Sequence, residues 1–242
     1  MKKKILLLST IAALSLALYG CDTKEKATTE KDIVEDAIED VELPTTSEET
    51  TESEDISEQT VDAERGVIEN DTFTNEVFKV SFPINDDWYV CSDAEIAEII
   101  GLTSDTIEES GSMTIEQFES ATAGTVYDCV FYFSDMQSNT NITFTSLDKL
   151  AMYATRPVED YAQLTMTQLE SMSSPSYTFD DMTHETYGGC EYVCINANTD
   201  MGYQQKMLMR KENGYMVCIT LTYFPELESE MQSFLDSFIE VK

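Results

Sequence analysis

Thiols are the most reactive side chains in this sequence, which contains six cysteines: Cys21, Cys91, Cys129, Cys190, Cys194 and Cys218. Cys190 and Cys194 lie four positions apart on a predicted strand, so they would be separated by about 13 Å. A disulfide needs Cα atoms within about 7 Å, so these two cannot pair on an intact strand. The five cysteines after Cys21 are odd in number and cannot all pair with one another. We therefore expect free thiols that pack as small buried hydrophobes.

No metal or cofactor site is predicted. The sequence has one histidine and no close Cys-x-x-Cys pair, which a zinc site would require. The run from Asn196 to Gly202 superficially resembles a calcium loop, but Gly202 is one position late for an EF-hand. Met207 also stands where such a loop needs a glutamate. We interpret this run as a β-turn between strands.

No catalytic residue is predicted either. His184 is the single histidine, and no Gly-x-Ser-x-Gly elbow is present to supply a nucleophile for it. Glycine-rich phosphate loops, dinucleotide fingerprints and His-Glu-x-x-His motifs are also missing. A carboxylate pair for glycoside hydrolysis stays open, since acidic residues are abundant, but most such residues are solvated surface. His184 is expected at the surface.

Residues 1–20 are predicted to be a targeting segment that precedes the folded elements. Lys2, Lys3 and Lys4 are followed by an apolar run from Ile5 to Leu18 and then by Tyr19 and Gly20. This order is typical of a secretory signal. The apolar run is shorter than the roughly 20 residues that a membrane-spanning helix needs. The sequence therefore predicts export.

The end of this segment, Leu18-Tyr19-Gly20-Cys21, resembles the lipobox of bacterial lipoproteins. The resemblance implies a diacylglyceryl group on the Cys21 thiol and cleavage just before Cys21. Acyl chains of this kind give a stable membrane anchor, because each buried methylene contributes about 0.8 kcal/mol. The alternative is an ordinary signal peptide with an incidental cysteine, and Tyr19 departs from the usual smaller residue.

Residues 21–68 are predicted to be a disordered acidic linker. Acidic residues far outnumber basic ones there, and no aromatic residue is present. Such a composition cannot bury enough apolar surface to offset the entropy lost on ordering. The whole chain has a formal charge of −33, which repels phosphate backbones, so we expect no binding to nucleic acid.

Residues 69–242 are predicted to form one globular domain of strands and capped helices. The expected strands are Phe73–Phe82, Trp88–Val90, Val126–Phe133, Ile142–Leu147, Tyr177–Tyr187, Cys190–Ala197, Tyr203–Lys211 and Tyr215–Tyr223. Capping boxes at Ser92–Glu95 and Thr114–Gln117 start two helices. A third has Pro157 at its first position, and a closing helix turns Leu227, Met231, Phe234, Leu235 and Phe238 inward.

The strongest turn signal is Asn213-Gly214, which predicts a two-residue hairpin. That turn would place Leu208 opposite Ile219 and Met209 opposite Cys218, so both faces of the hairpin carry apolar residues. Such a sheet needs cover on both sides, and the four predicted helices can supply it. The expected fold class is α+β with a mainly antiparallel central sheet flanked by helices.

Both ends of the domain resemble small lipoproteins of Gram-positive anaerobes. The resemblance rests on Asn75–Phe82, Asp87–Trp88, Ser92–Gly101 and the closing run Lys211–Phe224. Those proteins are similar to the PsbP-type fold, an antiparallel sheet flanked by helices, and they bring no catalytic motif. In this sequence Lys79 replaces a common Gly, and Asn85-Asp86-Asp87 replaces a Pro-containing turn.

Together these features predict a lipoprotein anchored through Cys21 on the extracellular face of a cell membrane, with a Gram-positive cell favoured by the resemblance. Its domain would be a non-enzymatic binding or accessory module of the envelope. The partner could be an envelope protein, a peptide or a small ligand. The alternative is an envelope hydrolase or a thiol-dependent enzyme that uses acidic residues or one exposed cysteine.

Overall fold

A computed structural model describes residues 62–101 and 113–242. The predicted export signal, Cys21 and the acidic segment through residue 61 lie outside the described residues. Within the described part of the chain, no helix is both long and apolar enough to cross a bilayer.

The described residues form eleven strands in two antiparallel sheets. The small sheet has the order β1 (Val67–Glu69), β2 (Thr72–Asn75) and β3 (Val80–Pro83). The large sheet contains β4 (Tyr89–Val90), β5 (Thr125–Tyr132), β6 (Asn139–Ser146), β7 (Tyr177–Phe179), β8 (Thr183–Tyr187), β9 (Cys190–Thr199), β10 (Gln204–Glu212) and β11 (Tyr215–Tyr223). Its order is β4-β5-β6-β11-β10-β9-β7, and β8 also pairs with β9.

Four α-helices accompany these strands in the described residues: α1 (Asp93–Ile99), α2 (Ile115–Ala121), α3 (Val158–Glu170) and α4 (Glu228–Asp236). Short 3₁₀ turns at Ala151–Tyr153 and Pro225–Leu227 precede α3 and α4. The predicted α+β class with an antiparallel central sheet is therefore confirmed.

Both predicted capping boxes are present. The Ser92 hydroxyl accepts from the Glu95 N–H at 3.4 Å, and the Glu95 carboxylate accepts from the Ser92 N–H at 2.8 Å. Thr114 and Gln117 form the same reciprocal pair at 3.2 and 2.8 Å. These bonds satisfy N–H groups that the first turn of a helix leaves free, which is why α1 and α2 begin where they do.

The predicted hairpin register is also confirmed. Asn213 and Gly214 have φ of 50° and 82°, the left-handed pair that a type I′ turn requires. Leu208 lies opposite Ile219, and Met209 lies opposite Cys218.

The large sheet separates two hydrophobic cores, so each of its faces is named here by the helix that packs on it. Leu208 and Ile219 lie on the α4 face, in one core with Phe234 of α4. Met209 and Cys218 lie on the α3 face, in a second core whose α3 members are Tyr161, Ala162 and Leu169. The alternation of side chains along each strand produces this division.

The predicted single strand from Phe73 to Phe82 is wrong, because the chain turns back within it. The Phe78 N–H donates to Asn75 Oδ1 at 2.9 Å, and Lys79 has a φ of 50°. Asn75 and Lys79 therefore shape a tight connection between β2 and β3. The positive φ explains why a Gly is common at this position in the resembling lipoproteins.

The predicted strand from Tyr177 to Tyr187 is also divided in two. β7 pairs with the end of β9, where Phe179 lies opposite Ala197, and β8 pairs with its beginning, where Thr183 lies opposite Cys194. The long strand β9 therefore has two short partners.

The folded elements begin before the predicted boundary at Glu69. β1 already starts at Val67, the Gly66 N–H donates to Asp128 at 2.6 Å, and Arg65 bonds to Asp93 at 2.8 Å. The acidic composition before Glu69 gives no indication of these contacts, because their partners, Asp93 and Asp128, lie far along the chain.

Candidate functional site

A cavity of about 210 Å³ lies between α1 and the edge of the large sheet that β4 forms. We call it the tyrosine pocket. Its walls come from the segment around β4, from α1, from the end of β5 and from the β5–β6 loop: Tyr89, Cys91, Glu95, Glu98, Ile99, Tyr132 and Met136. Tyr89 and Met136 are exposed by 43% and 41%, so large side chains with apolar surface meet solvent at this pocket.

Strand pairing and a helix cap position the polar groups of the tyrosine pocket. Tyr89 lies opposite Tyr132 in the β4–β5 ladder. The Tyr89 hydroxyl donates to the Glu95 carboxylate, the same carboxylate that closes the capping box of α1. The start of α1 therefore fixes both Glu95 and the Tyr89 ring.

The electrostatics of the tyrosine pocket favour binding over proton transfer or nucleophilic attack. The hydrogen bond to Glu95 raises the pKa of Tyr89 to about 12. Desolvation works to raise the pKa of Glu95, but hydrogen bonds from Tyr89 and Ser92 outweigh it and lower that pKa, so the carboxylate stays ionised. Burial raises the pKa of the Cys91 thiol to about 12, which keeps it protonated at neutral pH.

A row of neutral polar residues continues from Tyr132 across the α3 face of the sheet. Tyr132 lies opposite Asn139 of β6. Asn139 in turn lies opposite Thr222 of β11, and Thr222 lies opposite Gln205 of β10. One row of cross-strand pairs therefore runs from the tyrosine pocket over four strands.

Two shorter rows lie beside the first on the same face. Asn141 pairs with Thr220, and Thr143 pairs with Cys218. We call the amide and hydroxyl residues of the three rows on β6, β11 and β10 the polar floor: Asn139, Asn141, Thr143, Gln205, Thr220 and Thr222.

Three side-chain oxygens of the polar floor are buried and have no partner in the described part of the chain. Within residues 62–101 and 113–242, Asn139 Oδ1, Asn141 Oδ1 and Gln205 Oε1 accept no hydrogen bond. Their residues are only 4%, 7% and 4% exposed. The Gln205 amide nitrogen does have a partner, since it donates to the Thr222 hydroxyl at 3.0 Å. A buried acceptor without a donor costs about 1–3 kcal/mol, so these oxygens create a strong local demand for hydrogen-bond donors.

The two halves of the α3 face differ in chemistry. α3 contacts β7, β9 and β10, where the second core contributes Val193, Ile195, Met207 and Met209. The polar floor lies mostly on β6 and β11, beside that apolar half. The tyrosine pocket and the polar floor meet at the Tyr132–Asn139 pair, and together they form the candidate site.

A second cavity of about 230 Å³ lies between α4 and the other face of the sheet. Several of its polar groups already have partners within the protein. Gln204 donates to Asn198 at 2.9 Å, and Lys206 donates to Glu185 at 2.6 Å. Gln205, whose Oε1 has no partner among the described residues, also lines this cavity.

A third cavity of about 530 Å³ lies along the β1–β2 hairpin, where the chain enters the domain. Two of its lining side chains are occupied in holding that entry. Arg65 bonds to Asp93, and Asn75 donates to Asp128 at 2.8 Å and to the Glu64 carbonyl at 2.9 Å. The fold therefore explains why these polar side chains lie around the third cavity.

Among the described residues, the cysteines and His184 do not form a catalytic arrangement with each other. All five cysteines in the described residues are free thiols, and Cys190 is the one among them that is not buried. Cys194 and Cys218 lie in different cores, on opposite faces of the sheet. His184 is exposed, as expected, and its ring nitrogens face Glu159 and Glu191 at 3.2 and 3.3 Å.

The predictions on metal binding and on lipidation concern different parts of the chain. Among the described residues, no group of three or more His, Cys, Asp or Glu side chains could hold a metal ion. The Asn196–Gly202 run includes the end of β9 and the turn before β10, as expected. Cys21, the predicted lipidation site, lies outside the described residues.

No sequence motif predicted the candidate site, although one signal was available. From Asn139 to Thr145 the residues alternate, with Asn139, Asn141, Thr143 and Thr145 on one side of the strand. Such alternation is ordinary for a strand with one solvated face. What the pattern could not reveal is that Asn139 and Asn141 are buried, with oxygens that have no partner among residues 62–101 and 113–242.

Comparisons with known proteins give no family. No protein-family model and no curated protein matches this chain. Among solved structures, the chain is similar to PsbP from the cyanobacterium Synechocystis sp. PCC 6803, with 9% identity and a TM-score of 0.37 over 69% of this chain and 89% of that chain. It is also similar to LpqN of Mycobacterium tuberculosis, which is described as involved in cell envelope biogenesis, with 9% identity and a TM-score of 0.36 over 66% and 82% of the two chains. The PsbP-type resemblance thus has a counterpart among solved structures, but scores below 0.5 assign neither family nor function.

Proposed function

We propose that this chain is a lipid-anchored, surface-exposed binding protein of the cell envelope, without catalytic activity. The anchor is the lipid on Cys21, and the candidate site receives the partner. The tyrosine pocket supports this proposal most directly, because it brings two tyrosine rings and a hydrogen-bonded carboxylate to a solvent-exposed cavity. Ligand sites typically combine apolar and aromatic walls with a few fixed polar groups.

The chemistry of the site favours binding over the enzymatic alternative. The carboxylate of Glu95 is ionised and occupied by the cap of α1, so it is a poor general acid. Cys91 is the thiol of the tyrosine pocket, and its raised pKa disfavours the thiolate that a nucleophile needs. The polar floor itself is built from amides and hydroxyls, which hold ligands but do not titrate near neutral pH.

Membrane fractionation tests the anchor. We expect the wild-type chain to sediment with membranes and Cys21→Ala to be recovered in the soluble fraction. Mass spectrometry of the mature N-terminus should find acyl chains on Cys21. If Cys21→Ala stays with the membranes, the anchoring half of the proposal is wrong.

Site-specific photo-crosslinking in intact cells tests binding. A photoreactive residue at Met136, on the tyrosine pocket, should form an adduct with an envelope component. The control position is Met201, which is 52% exposed and lies in the turn between β9 and β10. Adducts at Met136 should disappear in Tyr132→Ala, which removes a ring from the wall of the same pocket. Equal adducts at both positions, or none at Met136, would contradict the proposed binding site.

A further inference from the structure

The tyrosine pocket has two carboxylates and, among the described residues, no lysine or arginine in its walls. Glu95 and Glu98 both line it. Ion pairs are present elsewhere in the described residues, as between Arg65 and Asp93, but none of them includes Glu95 or Glu98. The formal charge of −33 on the whole chain has the same sign. The field in the pocket therefore favours a cationic ligand and disfavours an anion.

Two aromatic rings in the same walls can also attract a cation. Tyr89 and Tyr132 lie opposite each other in the β4–β5 ladder, and both line the pocket. Within residues 62–101 and 113–242, four cationic side chains lie over rings, such as Lys206 at 5.7 Å from the centre of Tyr187, but none lies over Tyr89 or Tyr132. A cation within about 6 Å of a tyrosine ring is attracted by its quadrupole. The pocket rings can therefore accept a cation from outside the described domain.

The hydrogen bonds of Glu95 decide which kind of cation fits. Its carboxylate accepts from the Tyr89 hydroxyl and from both the N–H and the hydroxyl of Ser92, so three of its roughly four acceptor positions are filled. Glu98 is exposed, and water reaches its acceptors. A primary ammonium brings three N–H donors that each need an acceptor, whereas a quaternary ammonium brings none. The pocket supplies charge but few free acceptors, which favours the quaternary ion.

The size and the apolar surface of the pocket agree with this choice. Its volume of about 210 Å³ lies below the roughly 300–1,000 Å³ of sites for drug-sized ligands, so the bound group is small. Ile99 and Met136 lie beside the two rings. The methyl groups of a quaternary ammonium can contact such side chains without losing hydrogen bonds, because they make none. Aromatic walls with a nearby charge are a known way to recognise these ions.

From this combination we infer that the tyrosine pocket binds a quaternary ammonium group, with its methyl groups against the Tyr89 and Tyr132 rings and its charge near Glu95 and Glu98. This inference rests on the proposed binding function and adds the ligand class to it. Two sources carry such a group: a free cation such as choline, and the phosphocholine head group of a larger envelope component.

Calorimetric titration of the full chain at constant ionic strength tests the inference, in a detergent without a quaternary ammonium group. The probes are choline, its uncharged isostere in which carbon replaces nitrogen, and ethanolamine, which has a primary ammonium. We expect choline to bind about tenfold more tightly than either of the others. Phosphocholine distinguishes the two sources. It should bind more weakly than choline, because no basic residue of the described pocket offsets its phosphate, and tighter binding would identify a head group as the source.

Two variants separate the aromatic contact from the charge. Tyr132→Leu keeps an apolar side chain but removes the ring, so it should weaken choline binding about fivefold and leave the uncharged isostere within about twofold. Glu98→Gln should weaken choline binding about threefold. Glu228→Gln is the matched control, because it removes one exposed carboxylate at the second cavity, and it should change the affinity by less than about 1.5-fold. Thermal unfolding of every variant establishes that each is folded before its affinity is compared.

The outcomes separate the ligand class from the proposed function. If choline binds no more tightly than its isostere or ethanolamine, the inference is wrong. It is also wrong if Glu228→Gln weakens binding as much as Glu98→Gln, since the overall charge and not the pocket would then attract the cation. A specific adduct at Met136 in cells, without choline binding, would leave the proposed binding function standing and overturn only the ligand class. The absence of both would overturn both.

Discussion

The carboxylate of Asp128 accepts a hydrogen bond from the Gly66 N–H at 2.6 Å, although 62 positions separate the two residues in the chain. Asp128 is buried and lies where the β5–β6 register shifts. Asn75 donates to its second oxygen at 2.8 Å. One buried carboxylate thus holds the entry of the domain and the β2–β3 connection to the large sheet.

This carboxylate predicts a specific pH dependence of stability. Burial raises the pKa of Asp128 to about 6 from 3.8, although hydrogen bonds from Gly66 and Asn75 and the charge of Arg65 oppose the change. Because the folded-state pKa is the higher one, the stabilisation is fully present below about pH 3.8 and is lost as the pH rises through about 6. From pH 4 to pH 7 the free energy of unfolding should fall by roughly 2 kcal/mol more in the wild type than in Asp128→Asn.

Urea titrations at a series of pH values measure this difference. Comparing the two proteins cancels the contributions of the other carboxylates. Glu95, Glu185 and Glu212 have lowered pKa values, so their stabilisation is lost only as the pH falls through values below 4.5. If the free energy of unfolding varies with pH in the same way for the wild type and Asp128→Asn above pH 4, Asp128 is already ionised there without destabilising the fold.

Arg65→Ala should lower the free energy of unfolding by about 2 kcal/mol, because it leaves a partly buried carboxylate without its charged partner. Arg65 bonds to Asp93 at 2.8 Å and to the Asp128 carbonyl at 3.2 Å, and its guanidinium lies 5.0 Å from the centre of the Phe118 ring. The measurement is urea unfolding at neutral pH.

Arg156→Ala serves as the control for this prediction. Arg156 pairs with Asp160 at 3.6 Å, but both side chains are about half exposed, at 55% and 45%. Exposed pairs of this kind contribute little, so the change should stay within about 0.5 kcal/mol. An equal cost for both variants would refute the view that Arg65 fixes the entry of the domain.

Asn141→Leu should stabilise the protein by about 1 kcal/mol, because it removes a buried acceptor that has no donor among the described residues. Urea unfolding of the wild type and of Asn141→Leu measures the difference in the free energy of unfolding. A gain in stability would show that the buried Asn141 amide is kept at the expense of stability. A clear loss of stability would instead indicate that the amide supports the fold.

Thiol labelling should report one accessible cysteine in the described domain. Cys190 is half-buried, whereas the other four cysteines of the described residues are buried. Burial raises the pKa of both Cys91 and Cys194 to about 12, which further slows their reaction. With Cys21 replaced by Ala, a disulfide reagent should titrate one thiol in the folded chain and five after unfolding. Cys190→Ser should remove the first.

The rate of that labelling separates the two classes of function. A Cys190 thiol that reacts no faster in the folded chain than after unfolding fits a binding protein. Much faster reaction near neutral pH would favour the thiol-dependent alternative, since a catalytic thiol is activated by its surroundings.

Local signals in the sequence predicted much of the fold. The Ser92–Glu95 and Thr114–Gln117 boxes marked the starts of α1 and α2, and Asn213-Gly214 fixed the register of β10 and β11. Each of these signals acts within a few residues of chain, so the residues that carry it are adjacent in the sequence.

The errors of prediction come from contacts and backbone conformations that the local pattern does not reveal. The boundary at Glu69 excluded Gly66, which is held by Asp128, and the strand from Phe73 to Phe82 was wrong because Lys79 adopts a positive φ. The candidate site depends on both local and distant information. The alternation along β6 was visible in the sequence. The position of β6 next to β11 and close to the tyrosine pocket was not, because it depends on how β4, β5, β6 and β11 pair.

The contacts of Arg65 and Gly66 also determine where mechanical load enters the domain. Tension applied to the chain before Asp62 reaches Asp93 and Asp128 before it reaches the β1–β2 hairpin. Asp128 belongs to β5, which is hydrogen-bonded to β4 on one side and to β6 on the other. The load is therefore delivered to a strand inside the large sheet, and the short hairpin at its entry is spared from being peeled away first.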